Sequence, residues 1–200
     1  LRTACVIMLC AFPVGCQPLR RFAMNQVAGV LADSTETFHT DNDPQLVREA
    51  LPFALKLVEG TLNEAPHHQA LTLRACAGYT EYAYAFLKQD ADFIENEDFD
   101  AAETLRARAA NLFLRARDHG LHGLGLLYPG FSRNIRSNTQ ATLAEMRVRD
   151  VPYLYWTAAA WGLAIAESLD NPDLIADQPI VEAILDRAIA LNPEFEEGAL

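Results

Sequence analysis

The sequence predicts an all-α fold, an array of stacked helices without a sheet. Three observations carry that expectation. Beyond Thr37, apolar residues recur at three- and four-residue spacing in segment after segment, the period of a helix with one buried face. No segment alternates apolar and polar residues with a period of two between turn signals, so strands are not expected. The segments are punctuated as helices are, with Asp or Pro at starts and Gly or Pro at ends. Half of the 200 residues are hydrophobic and 22% are charged, an ordinary balance for a chain that buries an apolar core.

The N-terminus reads separately from the rest. Arg2 is the only charge before an apolar run over residues 3–14. That run is shorter than the roughly 20 residues of a membrane-spanning helix and suits the core of a signal peptide. It closes on Val14-Gly15-Cys16, followed by Gln17. A small residue before a Cys at the end of such a core is similar to a bacterial lipobox, although Pro13 stands where Leu is usual. Residues 1–16 are thus expected to be a signal peptide, with Cys16 as the lipidation site. A plain cleaved signal or an apolar N-terminal strand is the alternative. Lipid on Cys16 would hold the protein at a membrane surface. That anchor would be its only membrane contact, because the net charge of −11 disfavours docking on anionic lipid. The same charge argues against a nucleic-acid partner. Cys5 and Cys10 fall in the removed segment. Cys76 alone cannot form an internal disulfide, so the fold must rest on its core, with Cys76 expected as an inert buried thiol.

Residues 17–37 are expected to be a partly helical N-terminal segment, and residues 38–200 a helical repeat domain. The first clear start is Asp43, a good N-cap, with Pro44 in the first turn. Leu46, Val47, Ala50, Phe53, Ala54, Leu57 and Val58 then form one apolar stripe, interrupted by Pro52. This helix should fade over residues 60–66. A second helix is expected over residues 68–88, striped by Leu71, Ala75, Gly78, Tyr79, Tyr82 and Phe86. Residues 89–98, with Asp90, Asp92, Glu95, Glu97 and Asp98, are expected to be a charged loop. A third helix is expected over residues 100–118, ended by Gly120. Residues 121–138 are the least regular, and residues 139–149 are expected to hold a short helix. Asp150 is the next cap, with Pro152 in the first turn of a helix that is apolar nearly all round and hence buried on several sides. A last helix is expected over residues 179–191, stopped by Pro193. Residues 194–200 look like the start of another, so the array is expected to continue past the end of the sequence.

Two helix exits are alike: Leu62-Asn63-Glu64-Ala65-Pro66 before Ala70-Leu71, and Ala188 through Pro193 before Ala199-Leu200. The second resembles the end of a tetratricopeptide repeat, and the stretch from Ala77 to Ala83 resembles the first helix of such a unit. Helix pairs of this kind bury their open apolar faces by stacking. The ordering of five segments is more specific. DNDPQLVREALPFALKLVEG, LRACAGYTEYAYAF, RDHGLHGL, DVPYLYWTAAAWG and AILDRAIALNPEFEEGA together resemble the TatT family, the T components associated with tripartite ATP-independent periplasmic (TRAP) transporters. The resemblance covers residues 38–200. It implies a periplasmic lipoprotein of tetratricopeptide-like fold that assembles as an oligomer, often a trimer. It also implies an apolar cleft or pore and partnership with the transporter's substrate-binding P component.

Chemical motifs are sparse. His67 and His68 are adjacent and would point about 100° apart on a helix, which does not suit a tetrahedral ion. His119 and His122 are expected as caps and loop polars. The acids of residues 89–98 lack the turn Gly and the ligand spacing of a calcium loop. No nucleophile motif and no phosphate-binding glycine loop is present, so no enzyme, metal or cofactor is expected. The best site candidates are aromatic: Tyr79, Tyr82, Tyr84, Phe86, Tyr153, Tyr155, Trp156 and Trp161. They are read either as repeat core or as the lining of a cleft for an apolar ligand or a partner. Arg133 and Arg136 beside Asn134 are candidates for a ligand carboxylate. The function expected is binding and hand-over of a small hydrophobic or organic-acid ligand in concert with the P component. The alternative is an envelope adaptor that recognises peptide or protein partners in a helical groove. Gln17 after Cys16 favours anchoring in the outer membrane.

Overall fold

The computed structural model describes residues 40–198 together with Gln26 and Gly29. The expected signal peptide, Cys16 and the 17–37 segment lie outside that range, apart from those two residues. Among the described residues every regular element is helical. In chain order they are α1 (Pro44–Glu64), α2 (Gln69–Tyr82), a π-helical turn (Ala83–Lys88), α3 (Gln89–Ile94), α4 (Phe99–Leu127), α5 (Phe131–Ser137), α6 (Thr139–Ala144), a 3-10 turn (Val148–Asp150), α7 (Val151–Ala166), α8 (Pro172–Ile175), α9 (Gln178–Leu191) and a 3-10 turn (Phe195–Gly198).

The starts are set by local chemistry. The Asp43 carboxylate accepts from the amides of Gln45 and Leu46, both at 3.1 Å, and Pro44 fills a position whose N–H would be unsatisfied. His68 caps α2, its Nδ1 accepting from Leu71 N at 3.2 Å. Asp98 caps α4 through Ala101 N at 3.0 Å, and Asn171 caps α8 through Leu174 N at 3.1 Å. Gly130, at φ 84°, makes the left-handed turn into α5.

Four expectations are corrected. Residues 89–98 are not a loop as far as Ile94: helix continues through the π turn into α3, because Ala91 is fully buried and the acids there meet cations. Asp92 pairs with Lys88 at 2.6 Å, Asp90 with Arg48 at 2.9 Å, and Glu95 with Arg106 at 2.9 Å. Gly120 does not end α4, which runs on to Leu127. Residues 121–138 are therefore mostly helical, with a turn only between Leu127 and Phe131. The helix expected over residues 139–149 stops at Ala144, where the Arg187 guanidinium binds the Met146 carbonyl at 2.6 Å. Residues 195–198 form a 3-10 turn in place of the start of an α-helix.

α4, 29 residues and about 44 Å long at 1.5 Å per residue, is the spine. It packs chiefly on α7 and α2, while α1 packs on α2 and α9 on α7. The order α1, α2, α4, α7, α9 is thus a stack of neighbours. Its core gathers Phe113, Leu124, Phe131, Ile135, Leu154, Trp161 and Ile184, each buried. α7 has no polar face because α2, α4 and α9 all pack on it.

Candidate functional site

A cleft of about 550 Å³ opens between α1 and α4, lined by Lys56, Glu59, Gly60, Leu62, Asn63, Pro66, His119 and His122. Lys56, Glu59 and Asn63 share one face of α1 because they are three and four residues apart. Glu59 is the centre of the charge cluster. It accepts from Lys56 and from His119 Nε2 at 3.3 Å, and Arg115 Nε lies 3.6 Å away. Burial pushes its carboxyl up, but the donors Lys56 and His119, the nearby Tyr79 hydroxyl and the Arg115 charge outweigh it and hold the group below the usual carboxylate range. Burial also lowers the His119 pKa, against the pull of Glu59. His119 is thus neutral at pH 7, and its Nε2 carries the proton, since a carboxylate only accepts. Tyr79 stacks on the His119 ring at 6.0 Å and 4°, with the Arg115 guanidinium 5.4 Å from its centroid. His122 Nε2 donates to the Pro66 carbonyl at 2.8 Å.

None of the sequence-predicted aromatic residues lines the cleft at Glu59 or the cavity at Asn134. Tyr79 is buried beside the cleft, and burial raises its hydroxyl to about 12. Tyr82 and Phe86 pair at 5.7 Å, half-buried, with the Arg48 guanidinium 4.9 Å from the Phe86 ring. Tyr84 is exposed. Tyr153 is buried between helices. Its hydroxyl donates to the Gln69 carbonyl and lies 2.6 Å from Thr72 Oγ1. Tyr155 meets Trp156 edge-on at 5.0 Å and Phe195 at 5.3 Å, a half-buried surface group. Trp161 is fully buried between the guanidinium groups of Arg117 and Arg136, 5.5 and 5.1 Å from its ring.

Arg133 and Asn134 are exposed on α5. Asn134 borders a smaller cavity of about 300 Å³ with Tyr128, Phe131 and Met146. Arg136 is committed to Asp177 at 2.8 Å. Cys76 is buried, and desolvation raises its thiol to about 12. Among the described residues, no cluster of His, Cys, Asp or Glu is placed to hold a metal ion, and no helix is long and apolar enough to cross a membrane.

Sequence reasoning passes over Glu59, and it places His119 and His122 in a loop because Gly120 reads as a helix stop. Both histidines lie inside α4. The spacing of Lys56, Glu59 and Asn63 was the available signal for a polar face on α1. Their partner His119, 60 residues from Glu59, has no sequence signal.

Two comparisons with known proteins bear on this architecture. The model of the TAtT family, described as TRAP transporter T-component, matches residues 40–200. An uncharacterized protein of Treponema pallidum (strain Nichols) is 30% identical over 211 residues, covering 96% of this chain and 64% of the relative. The chain therefore spans less than two thirds of that relative's length.

Proposed function

The chain belongs to the TRAP transporter T-component family, and from that premise we propose that it is a lipid-anchored periplasmic accessory protein that binds the transporter's substrate-binding protein. It receives a small ligand, changes no bond in it, and hands it over. The family match across residues 40–200 is the observation that carries this reading; it implies association with TRAP transporters and describes an accessory component, not an enzyme. Cys16 supplies the anchor, and the helical stack is the unit that oligomerises.

Of the two ligand classes, the cleft between α1 and α4 favours the organic acid. Its volume falls in the range of small-molecule sites. The Lys56 ammonium and the Asn63 amide, both at the surface, offer donors to a carboxylate, while Leu62, Gly60 and Pro66 provide an apolar wall. Glu59 does not repel such a ligand strongly, because its charge is already met by Lys56, Arg115 and the His119 N–H.

The test is a pull-down. A tagged protein beginning at Gln17 is mixed with periplasmic extract of the native cell. The expected result is co-elution of a TRAP-type substrate-binding protein at moderate salt. Co-elution of envelope-assembly proteins or peptides alone would overturn the reading in favour of an adaptor.

A further inference from the structure

α1 is apolar around more than half of its circumference. One part of that arc, Leu51, Leu55, Val58 and Leu62, is half-buried or buried, and α1 packs on α2. The other part, Leu46, Ala50, Phe53 and Leu57, recurs at the same three- and four-residue spacing but faces outward. Leu46, Phe53 and Leu57 are 54%, 75% and 45% exposed. A helix with a single neighbour needs an apolar stripe of about 100°, and the end element of a helical stack presents polar residues outward. α1 has the pattern of an inner element. We propose that residues 23–32 of this chain form a helix that lies antiparallel on the outer stripe of α1 and caps the stack. The inference stands on α1 and the sequence before it and is independent of the transporter reading.

The occupant follows from area, length and pattern. The strip from Leu46 to Leu57 is about 16 Å long at 1.5 Å per residue. One helix face wide, it offers on the order of 400 Å², about half of the ~800 Å² per partner of a standard protein–protein interface. A second copy gains too little from such a strip. A segment of the same chain needs less, because tethering supplies a high effective concentration.

Residues 23–32 as a helix are about 15 Å long, which matches the strip. By spacing, Met24, Val27, Ala28 and Leu31 then stand on one side, and Gln26 and Gly29 on the other. Those last two residues are helical and Gln26 is exposed. A Cβ added at Gly29 would meet nothing within 4 Å. The side away from the Met24–Leu31 stripe is therefore open, as this register requires. Residues 33–43, which join the two helices, are mostly polar and reach up to ~36 Å at ~3.3 Å each, ample for a reversal of direction. Lys56 and Gly60 adjoin the outer stripe by spacing and line the Glu59 cleft, so the docked helix borders the mouth of that cleft.

Hydrogen exchange of the full chain tests the docking. The expected result is amide protection over residues 24–32 that falls about tenfold or more in Phe53→Asp, the scale of one large apolar side chain kept from burial, while α4 and α7 keep theirs. Ala50→Lys, at a second exposed position of the stripe, should act in the same way. Phe93→Asp, at a likewise exposed phenylalanine on α3, should not. Exchange over residues 24–32 at the rate of free chain would overturn the proposal. So would protection unchanged by both α1 variants, since the segment would then pack elsewhere. Protection lost on dilution would also overturn it, because the contact would then be one between copies.

Discussion

A methyl group at position 120 would arrive 2.2 Å from Thr157 Oγ1 and 2.9 Å from Cys76 Sγ, and one at position 123 would come within 2.2 Å of the Tyr153 ring. These two glycines are where α2 and α7 press closest on α4. Gly120→Ala and Gly123→Ala should each destabilise the fold by about 1–3 kcal/mol, the cost of overpacking a close contact. Gly125 lies in the same helix with nothing within 4 Å, and Gly125→Ala should stabilise it by up to ~1 kcal/mol through helix propensity. Urea unfolding of the three variants checks the contrast. Equal effects at all three sites would contradict this account of why α4 carries glycine. The pair His119 and Glu59 gives a second prediction. The folded chain lowers the His119 pKa below its ordinary 6.5, so as pH falls the unfolded chain takes up that proton first. The stability His119 contributes is complete above pH 6.5 and declines as pH drops towards its folded value. Glu59, held below its ordinary 4.5, contributes stability above that pH and loses it as pH falls through its own folded value. His119→Phe keeps the ring on Tyr79 and should flatten the melting-temperature profile between pH 6.5 and 4.5. An unchanged slope there would contradict the assignment.

At the scale of the element, helix starts were legible and some helix ends were not. Asp43-Pro44 marks the beginning of α1 through contacts within a few residues; Asp150 and Pro152 also stand at the start of α7, but the expected Asp150 cap is corrected, because its carboxylate accepts from Tyr128 Oη and Arg147 N and not from the amides of α7. Asp43→Ala should cost ~1 kcal/mol, the usual value of a lost N-cap, read as a drop in stability and as faster amide exchange in the first turn of α1. Unchanged exchange there would show that the cap does not hold that end. The end of α4 depended on distant partners. Gly120 reads as a stop until Thr157 on α7 and Cys76 on α2 are seen to require the absence of a side chain. The acids after Lys88 read as a loop for the same reason: Arg48 and Arg106, on α1 and α4, neutralise them and allow helix to continue. The candidate site was less legible than the fold. Residues of one helix face, such as Lys56, Glu59 and Asn63, can be grouped by spacing, but Glu59 meets His119 only through tertiary packing. The aromatic residues were recognisable as large amphipathic groups. Whether each would be core, as Trp161 is, or half-exposed, as Tyr155 and Trp156 are, depended on which neighbour covers it.

At the scale of the whole molecule, the stack α1, α2, α4, α7, α9 leaves a polar cleft open between α1 and α4. The cleft at Glu59 has its carboxylate satisfied and presents the donors Lys56 and Asn63. It therefore suits an anionic ligand, on a body with a net charge of −11. That charge raises the expected salt dependence of any complex with a basic partner surface. The central claim is association with the substrate-binding protein of a TRAP transporter, and a direct titration of the two purified proteins tests it. The account predicts a saturable complex of defined stoichiometry, with the substrate-binding protein from the same cell, at moderate salt. No complex at low or moderate salt, between two folded proteins of which the second still binds its own substrate, would contradict it.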